Sequence, residues 1–204
     1  MRNTISARHC LLLLSALLLA GCSTTRSVME WQDEAFSGKL DNILVIAAVE
    51  EKGRQRAVED AYVTQFGELA VKAVPGYRLL ADEALLSRAT IEAAIAGRGI
   101  DAVLVTRLLG VEEVKKYQPP SQIEYYRGYH RYYAHAREFS SPGYYIKYKV
   151  LTLETNVYDT ASQQLIWSMQ SESLDSSAPQ GVIDEQIALT VERLLARGLL
   201  AGPP

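Results

Sequence analysis

The hydrophobic pattern of the chain divides it into strands and helices before any single residue is considered. Residues 41–49, DNILVIAAV, are a short apolar run rich in branched side chains, the pattern of a buried strand. From Arg54 to Val74 the spacing becomes helical. Val58, Ala61, Tyr62, Phe66, Leu69, Ala70, Ala73 and Val74 recur at i, i+3 and i+4 on one face, and PGY (75–77) ends the run. YRLL (77–80) reads as a brief strand, and two short helices fit 82–98 with Asp82 and Thr90 as candidate caps. DAVLVTRLLGVEEV (101–114) is a second long strand. YYIKYKVLTLETNVYD (144–159) is a third, and its apolar phase shifts between Val150 and Leu151, which predicts a bulge or a change of buried face. DTASQQ (159–164) is a turn, and LIWSMQSESL (165–174) alternates with Leu165, Trp167 and Met169 on one side. The last helix runs from about Pro179 to Arg197, with Gly198 at its stop and Val182, Ile183, Ile187, Val191, Leu194 and Leu195 as its inner stripe. The order β-α-β-α-α-β-insert-β-β-α predicts an α/β fold (an α+β sandwich), a mixed sheet of about five strands with helices packed on it.

The first 22 residues obey a different pattern. Arg2 and Arg8 precede a ten-residue apolar run, Leu11 to Ala20, which is about half the roughly 20 residues a membrane-spanning helix needs and suits a secretory signal. The run ends in Leu19, Ala20, Gly21 and Cys22, which resembles the lipobox of bacterial lipoproteins. That resemblance implies a signal peptide over 1–21, cleavage before Cys22 and acylation of its thiol. Ser23, where an aspartate would imply retention at the inner membrane, implies an outer-membrane anchor facing the periplasm. Residues 22–39 are then expected to be a lipidated tether, because they are polar and non-periodic apart from Trp31 and Phe36. Residues 40–200 are expected to be one domain, large enough for a sizeable core. Loss of Arg2 and Arg8 leaves 19 basic against 24 acidic residues, a net charge of −5, and Cys10 leaves too, so no intramolecular disulfide can form.

Several stretches of the body taken together are similar to a known group. ILVIAAVEEKGRQRAVEDAYVTQF, GIDAVLVTRL, LETNVYDTASQQLIWSMQSES and the closing helix up to RGLL resemble an uncharacterised bacterial outer-membrane lipoprotein family, and more distantly the periplasmic domain of the curli secretion channel lipoprotein. The resemblance implies an α/β sandwich of the type found in envelope assembly factors and no particular activity. The chain departs from the channel lipoprotein in having one insertion where the channel inserts two hairpins per subunit. A pore or oligomeric secretion component is therefore an alternative.

Catalytic chemistry has little to stand on. The only histidines after the leader, His130 and His135, are five residues apart, off the i, i+4 face of a helical zinc pair, and no thiol is available. No nucleophile elbow or phosphate-binding loop occurs. GRGIDA (97–102) matches a dinucleotide fingerprint by letters but leaves a helix and enters a strand, the reverse of what the phosphate site requires. Glu50–Glu51 and Glu112–Glu113 are neighbours that read as solvated edges, and Arg56–Glu59 reads as a surface pair. No catalytic residue, metal ligand or cofactor is expected, and an envelope hydrolase is the second alternative.

The functional signal is concentrated in a Tyr-rich basic insertion at 115–148. Nine of the twelve tyrosines lie between Tyr117 and Tyr148. Residues 115–149 carry seven Lys or Arg against two Glu, a net +5, so the rest of the mature chain sums to about −10. On a helix, Tyr125, Tyr126, Tyr129, Tyr132 and Tyr133 fall within roughly 120°, with Arg127 and Arg131 outside that arc. The stripe either packs on the domain's own sheet or is a partner surface. The expected partners are the membrane, through the N-terminal lipid, and another envelope protein, peptidoglycan or lipopolysaccharide; nucleic acid is not expected. These features describe a non-enzymatic binding or assembly factor of the cell envelope.

Overall fold

The computed structural model of the chain describes residues 24–80, 87–119, 143–174 and 179–201. Its elements are β1 (Thr25–Gln32), β2 (Asn42–Ala48), α1 (Lys52–Glu68), β3 (Lys72–Pro75), a 3-10 turn (Gly76–Arg78), α2 (Arg88–Ile95), β4 (Ala102–Gln118), β5 (Tyr144–Asp159), β6 (Leu165–Leu174) and α3 (Pro179–Ala196). The strands form one six-stranded sheet in the order β1-β6-β5-β4-β2-β3. β2 pairs in parallel with β3 and β4, and the other pairs are antiparallel. The mixed sheet with packed helices is as predicted, with one strand more than expected.

The core lies on both faces of β2, whose residues Ile43 to Ala47 are all buried. On one face α1 and α3 bring Tyr62, Phe66, Ile187 and Leu194 against Val45, Leu104, Val157, Trp167 and Met169. On the other face Leu44, Ile46, Ile100 and Val103 meet Ile91 and Ile95 of α2, with Leu79 and Leu80. The closing helix buries Val182, Ile187, Val191 and Leu194 of its expected stripe, with Ile183 and Leu195 packed at the margin. Gly198 stops it at φ 70°.

Four local expectations are corrected. The helix read over 54–74 ends at Glu68, where Ala70 takes a left-handed φ of 58° and Val71 N–H closes back on Phe66 O. Residues 72–75 then pair with β2, and YRLL is the 3-10 turn and its exit rather than a strand. A non-glycine in the left-handed region leaves no sequence signal for this stop. In 82–98 the described helix is Arg88–Ile95, capped by Ser87, with Thr90 as the third-position member of the capping box rather than the cap; Asp82 lies outside the described residues. The bulge expected near Val150–Leu151 lies across the pair on β4, where Leu109 is the extra residue between Leu108↔Leu153 and Gly110↔Thr152.

A fifth correction concerns the expected tether. Thr25–Gln32 is not a tether; it is an edge strand paired with β6 from Thr25↔Ser173 to Gln32↔Trp167. Its inward residues are polar, which is why no apolar alternation marked it. Thr25 Oγ1 lies 2.6 Å from Ser173 Oγ, and Glu185 Oε2 accepts from Thr24 N, Thr24 Oγ1 and Thr25 Oγ1 at 2.8, 2.9 and 3.0 Å. Glu30 Oε1 accepts from Trp167 Nε1 at 3.1 Å and from Arg197 Nε at 2.8 Å. Phe36 packs against the core, whereas Trp31 is 48% exposed.

Glu59 is also not the surface partner of Arg56. It is fully buried, and its carboxylate accepts from Ala47 N and Gln55 Nε2 on one oxygen and from Tyr77 N on the other, at 3.0, 3.1 and 2.8 Å. It joins the end of β2 to the 3-10 turn. Gly76 makes this approach feasible, since a Cβ there would lie 2.9 Å from Val45 O and 3.3 Å from Glu59 Oε1.

Replacing Glu59 with alanine orphans two buried N–H groups and is expected to lower stability by about 3 kcal/mol, read as a shift in the urea midpoint at unchanged slope. Glu30 gives a pH prediction. The hydrogen bond from Arg197, assisted by Trp167, holds its carboxyl below the usual range against the opposing effect of burial. The contact's contribution is therefore complete above about pH 5 and is lost as the pH falls through the lowered folded value. Urea midpoints of Glu30→Gln should fall less steeply below that pH than those of the parent chain.

Candidate functional site

The residues picked out by sequence, Tyr125, Tyr126, Arg127, Tyr129, Arg131, Tyr132 and Tyr133, lie outside the described residues, as does Cys22. The stem that carries the tyrosine segment is described. β4 does not stop at Val114 but runs on to Gln118, and Glu113↔Lys149 through Gln118↔Tyr144 continue the antiparallel ladder. β6 stops pairing with β5 at Leu174↔Val150, so these outer six pairs belong to a two-stranded ribbon. At 3.3–3.4 Å per residue it rises about 20 Å beyond the sheet.

The ribbon has two different faces. Strand alternation places Glu113, Lys115, Tyr117, Tyr145, Lys147 and Lys149 on the helix side, and Val114, Lys116, Gln118, Tyr144, Ile146 and Tyr148 on the other. The first face is mainly cationic and the second mainly apolar and aromatic. Tyr144 and Tyr145 are 59% and 67% exposed. Tyr117 and Tyr145 lie 5.2 Å apart between centroids, a tilted cross-strand pair that holds the register. Lys115 stands directly opposite Lys147, a like-charge pair that disfavours the ribbon, and Glu113 Oε1 relieves it at 3.5 Å from Lys147 Nζ. A ribbon with opposed lysines and exposed tyrosines is poorly optimised for itself and suited to an anionic surface.

The sheet register also places the chain entry. Thr25 pairs with Ser173, Ser173 with Leu151, and Leu151 with Val111, so the start of β1 is level with the base of the ribbon. The hydrogen bonds to Glu185 pin Thr24 at that same end.

A groove of about 400 Å³ opens beside the ribbon on the helix face, between the N-terminal halves of α1 and α3 and above β4 and β5. Val58, Val182 and Ile187 form its buried wall, Leu151 and Leu153 are half-buried along its floor, Leu108 is 46% exposed, and Arg54 and Lys149 stand at its edge. Polar groups lie beneath. Tyr62 Oη donates to Thr190 Oγ1 at 3.2 Å, and burial pushes its phenol above the usual range. Gln186 is only 2% exposed, and its Oε1 accepts from Ser171 Oγ. A second depression of about 590 Å³ on the opposite face has a mixed lining that includes Val114, Tyr148, Glu112 and the ion pair of Arg26 with Glu172 at 2.8 Å.

Among the described residues, no cluster of three or more His, Cys, Asp or Glu is placed to hold a metal ion, and no helix is long and apolar enough to cross a membrane. Gly97 and Gly99, at φ 70° and 64°, form the turn between α2 and β4, so GRGIDA leaves a helix and enters a strand as read from the sequence. Glu50, Glu51, Glu112 and Glu113 are exposed, with Glu51 paired to Arg54 at 3.1 Å.

No protein-family model matches the chain, and no curated protein matches it either. Among solved structures it is similar to a PelC dodecamer from Paraburkholderia phytofirmans, at 8% identity and a TM-score of 0.46 over 83% of this chain and 96% of that one. A point variant of that dodecamer matches at 10% identity and a TM-score of 0.45, over 84% and 96%. Lipoprotein GNA1162 from Neisseria meningitidis matches at 14% identity and 0.40, over 76% and 98%. Likenesses this remote leave the chain's function to its own geometry.

If the opposed lysines are kept for a partner, removing one should help the isolated chain. Lys115→Glu is expected to raise unfolding stability by about 0.5 kcal/mol while weakening retention on an anionic matrix, and a loss of stability would contradict the like-charge reading of the ribbon.

Proposed function

We propose that this chain is a periplasmic lipoprotein of the outer membrane, acting as a non-enzymatic binding factor whose ribbon addresses the anionic surface of the membrane that anchors it. The observation that carries this reading is the shared end of the sheet. β1 enters where the ribbon leaves, and Cys22 stands two residues before the pinned Thr24, a covalent reach of at most about 7 Å. A lipid on Cys22 would therefore hold the ribbon end toward the bilayer with almost no tether.

The ribbon's chemistry suits that position. Tyrosine favours the membrane–water boundary, where its ring is buried and its hydroxyl hydrated. Each lysine near an anionic leaflet contributes on the order of 1 kcal/mol, and lysine stems reach along apolar surface to place the ammonium among phosphates. Val114, Ile146, Tyr144 and Tyr148 on one face and four lysines around the ribbon combine both effects.

An environment-sensitive fluorophore tests this on the full lipidated chain in vesicles. Attached at Tyr145→Cys, it should shift to the blue when anionic lipid is included. The shift should fall at roughly 0.5 M salt, where screening acts within about 4 Å. The same label at Ala161→Cys, in the turn at the far end of the sheet, should not respond. Equal responses at the two sites would sink the proposed orientation.

A further inference from the structure

We propose that the groove between α1, α3 and the ribbon end of β4–β5 binds the acyl chain of an anionic membrane lipid. This deepens the envelope-binding reading and rests on it for where the lipid is met; the groove's own chemistry supplies the ligand class.

Three features point to an aliphatic chain with a polar head. The first is uncovered apolar surface. Leu108, Leu151 and Leu153 lie on the face that α1 and α3 cover farther in, yet all three remain at least partly exposed in the groove. A groove of about 400 Å³ is within the 300–1,000 Å³ range of small-molecule sites, and its lining has the usual composition, mostly apolar with a few placed polar groups.

The second feature is Gln186. Its amide has two hydrogen-bonding ends, and Ser171 Oγ engages one of them. Nε2 has no partner among the described residues, although the side chain is buried and lines the groove. A hydroxyl can donate or accept, so turning the amide over would leave the same count, one end held and one end unused. Buried polar ends are normally satisfied, and an ester or carboxyl oxygen of a bound lipid would satisfy this one.

The third feature is charge and place. Lys149, and Arg54 held beside Glu51, stand at the groove's edge where an anionic head would lie. That edge is at the end of the sheet where Thr24 is pinned and the ribbon begins, so a lipid leaving the bilayer would reach the groove over a short path. A peptide would satisfy the apolar floor but gives no reason for a cationic edge beside a single unused amide.

The test uses the full lipidated chain in vesicles containing a trace of phosphatidylglycerol with a diazirine in one acyl chain. After irradiation, mass spectrometry maps the adducts. The expected result is adducts at Leu151, Leu153 and Ile187, lowered about fivefold or more by Gln186→Leu and by Leu153→Trp. Gln186→Leu also leaves the buried Ser171 hydroxyl without its acceptor, so its thermal midpoint should fall, and circular dichroism at the assay temperature checks that the variant is folded when it is labelled. Should the tryptophan variant not fold, Gln186→Leu decides alone. Adducts on Tyr144 and Tyr145 but none in the groove would overturn the acyl site and leave the membrane-facing ribbon standing. Groove adducts without ribbon adducts would keep the site and sink the orientation. Groove residues crosslinked only to peptides of a second copy would overturn the lipid as occupant.

Discussion

Continuous antiparallel pairing between β4 and β5, from Ala102↔Asp159 to Gln118↔Tyr144, is the constraint on which the rest of this structure depends. The inner half of the ladder is flanked by β2 and β6 and covered by helices, so its residues are core. Among the described residues the outer half has no flanking strand, so the same pairing there projects a ribbon. One bulge, at Leu109, lies just beyond the last pair of β4 with β2, Ala48↔Arg107, and three pairs before the ribbon begins. A bulge of this kind increases local twist in the bulged strand.

The body is held at its edges by buried polar contacts rather than by apolar area alone. Glu59 ties the end of β2 to the 3-10 turn, and Glu185 ties the start of β1 to α3. Thr106 and Thr155 pair at 3.1 Å within the sheet, close to the Tyr62–Thr190 contact. Such groups are costly when unpaired, so a network that is nearly complete favours a single arrangement. The free amide end of Gln186 is an exception within it, at the wall of the groove.

Position and chemistry converge on one end of the molecule. The pinned chain entry, the cationic and tyrosine-rich ribbon, the exposed leucines and the unused amide all lie there. The far end is a hydrogen-bonded turn in which Asp159 accepts from Ser162. A short covalent link to a lipid would make the ribbon end the membrane side, and the function proposed for the chain follows from that orientation.

The long periodic elements were legible in the sequence because burial leaves an apolar rhythm: β2, the span of β5, β6 and the stripe of α3 all read correctly. The compositional imbalance that drew attention to residues 115–149 was equally plain. What could not be read was every element built on polar contacts or on backbone conformation. β1 turns Thr25, Ser27 and Glu30 inward to partners far along the chain in β6, so it carried no apolar alternation. Glu59 looked like a surface acid because the backbone N–H groups it accepts from belong to β2 and the turn after β3. Ala70 stopped α1 without a glycine to announce it. The groove and its buried amide exist only where α1, α3, β4 and β5 meet. Local sequence determined which segments would pair and pack; long-range contacts decided that the chain enters beside the ribbon, because only folding brings Thr24 to Glu185.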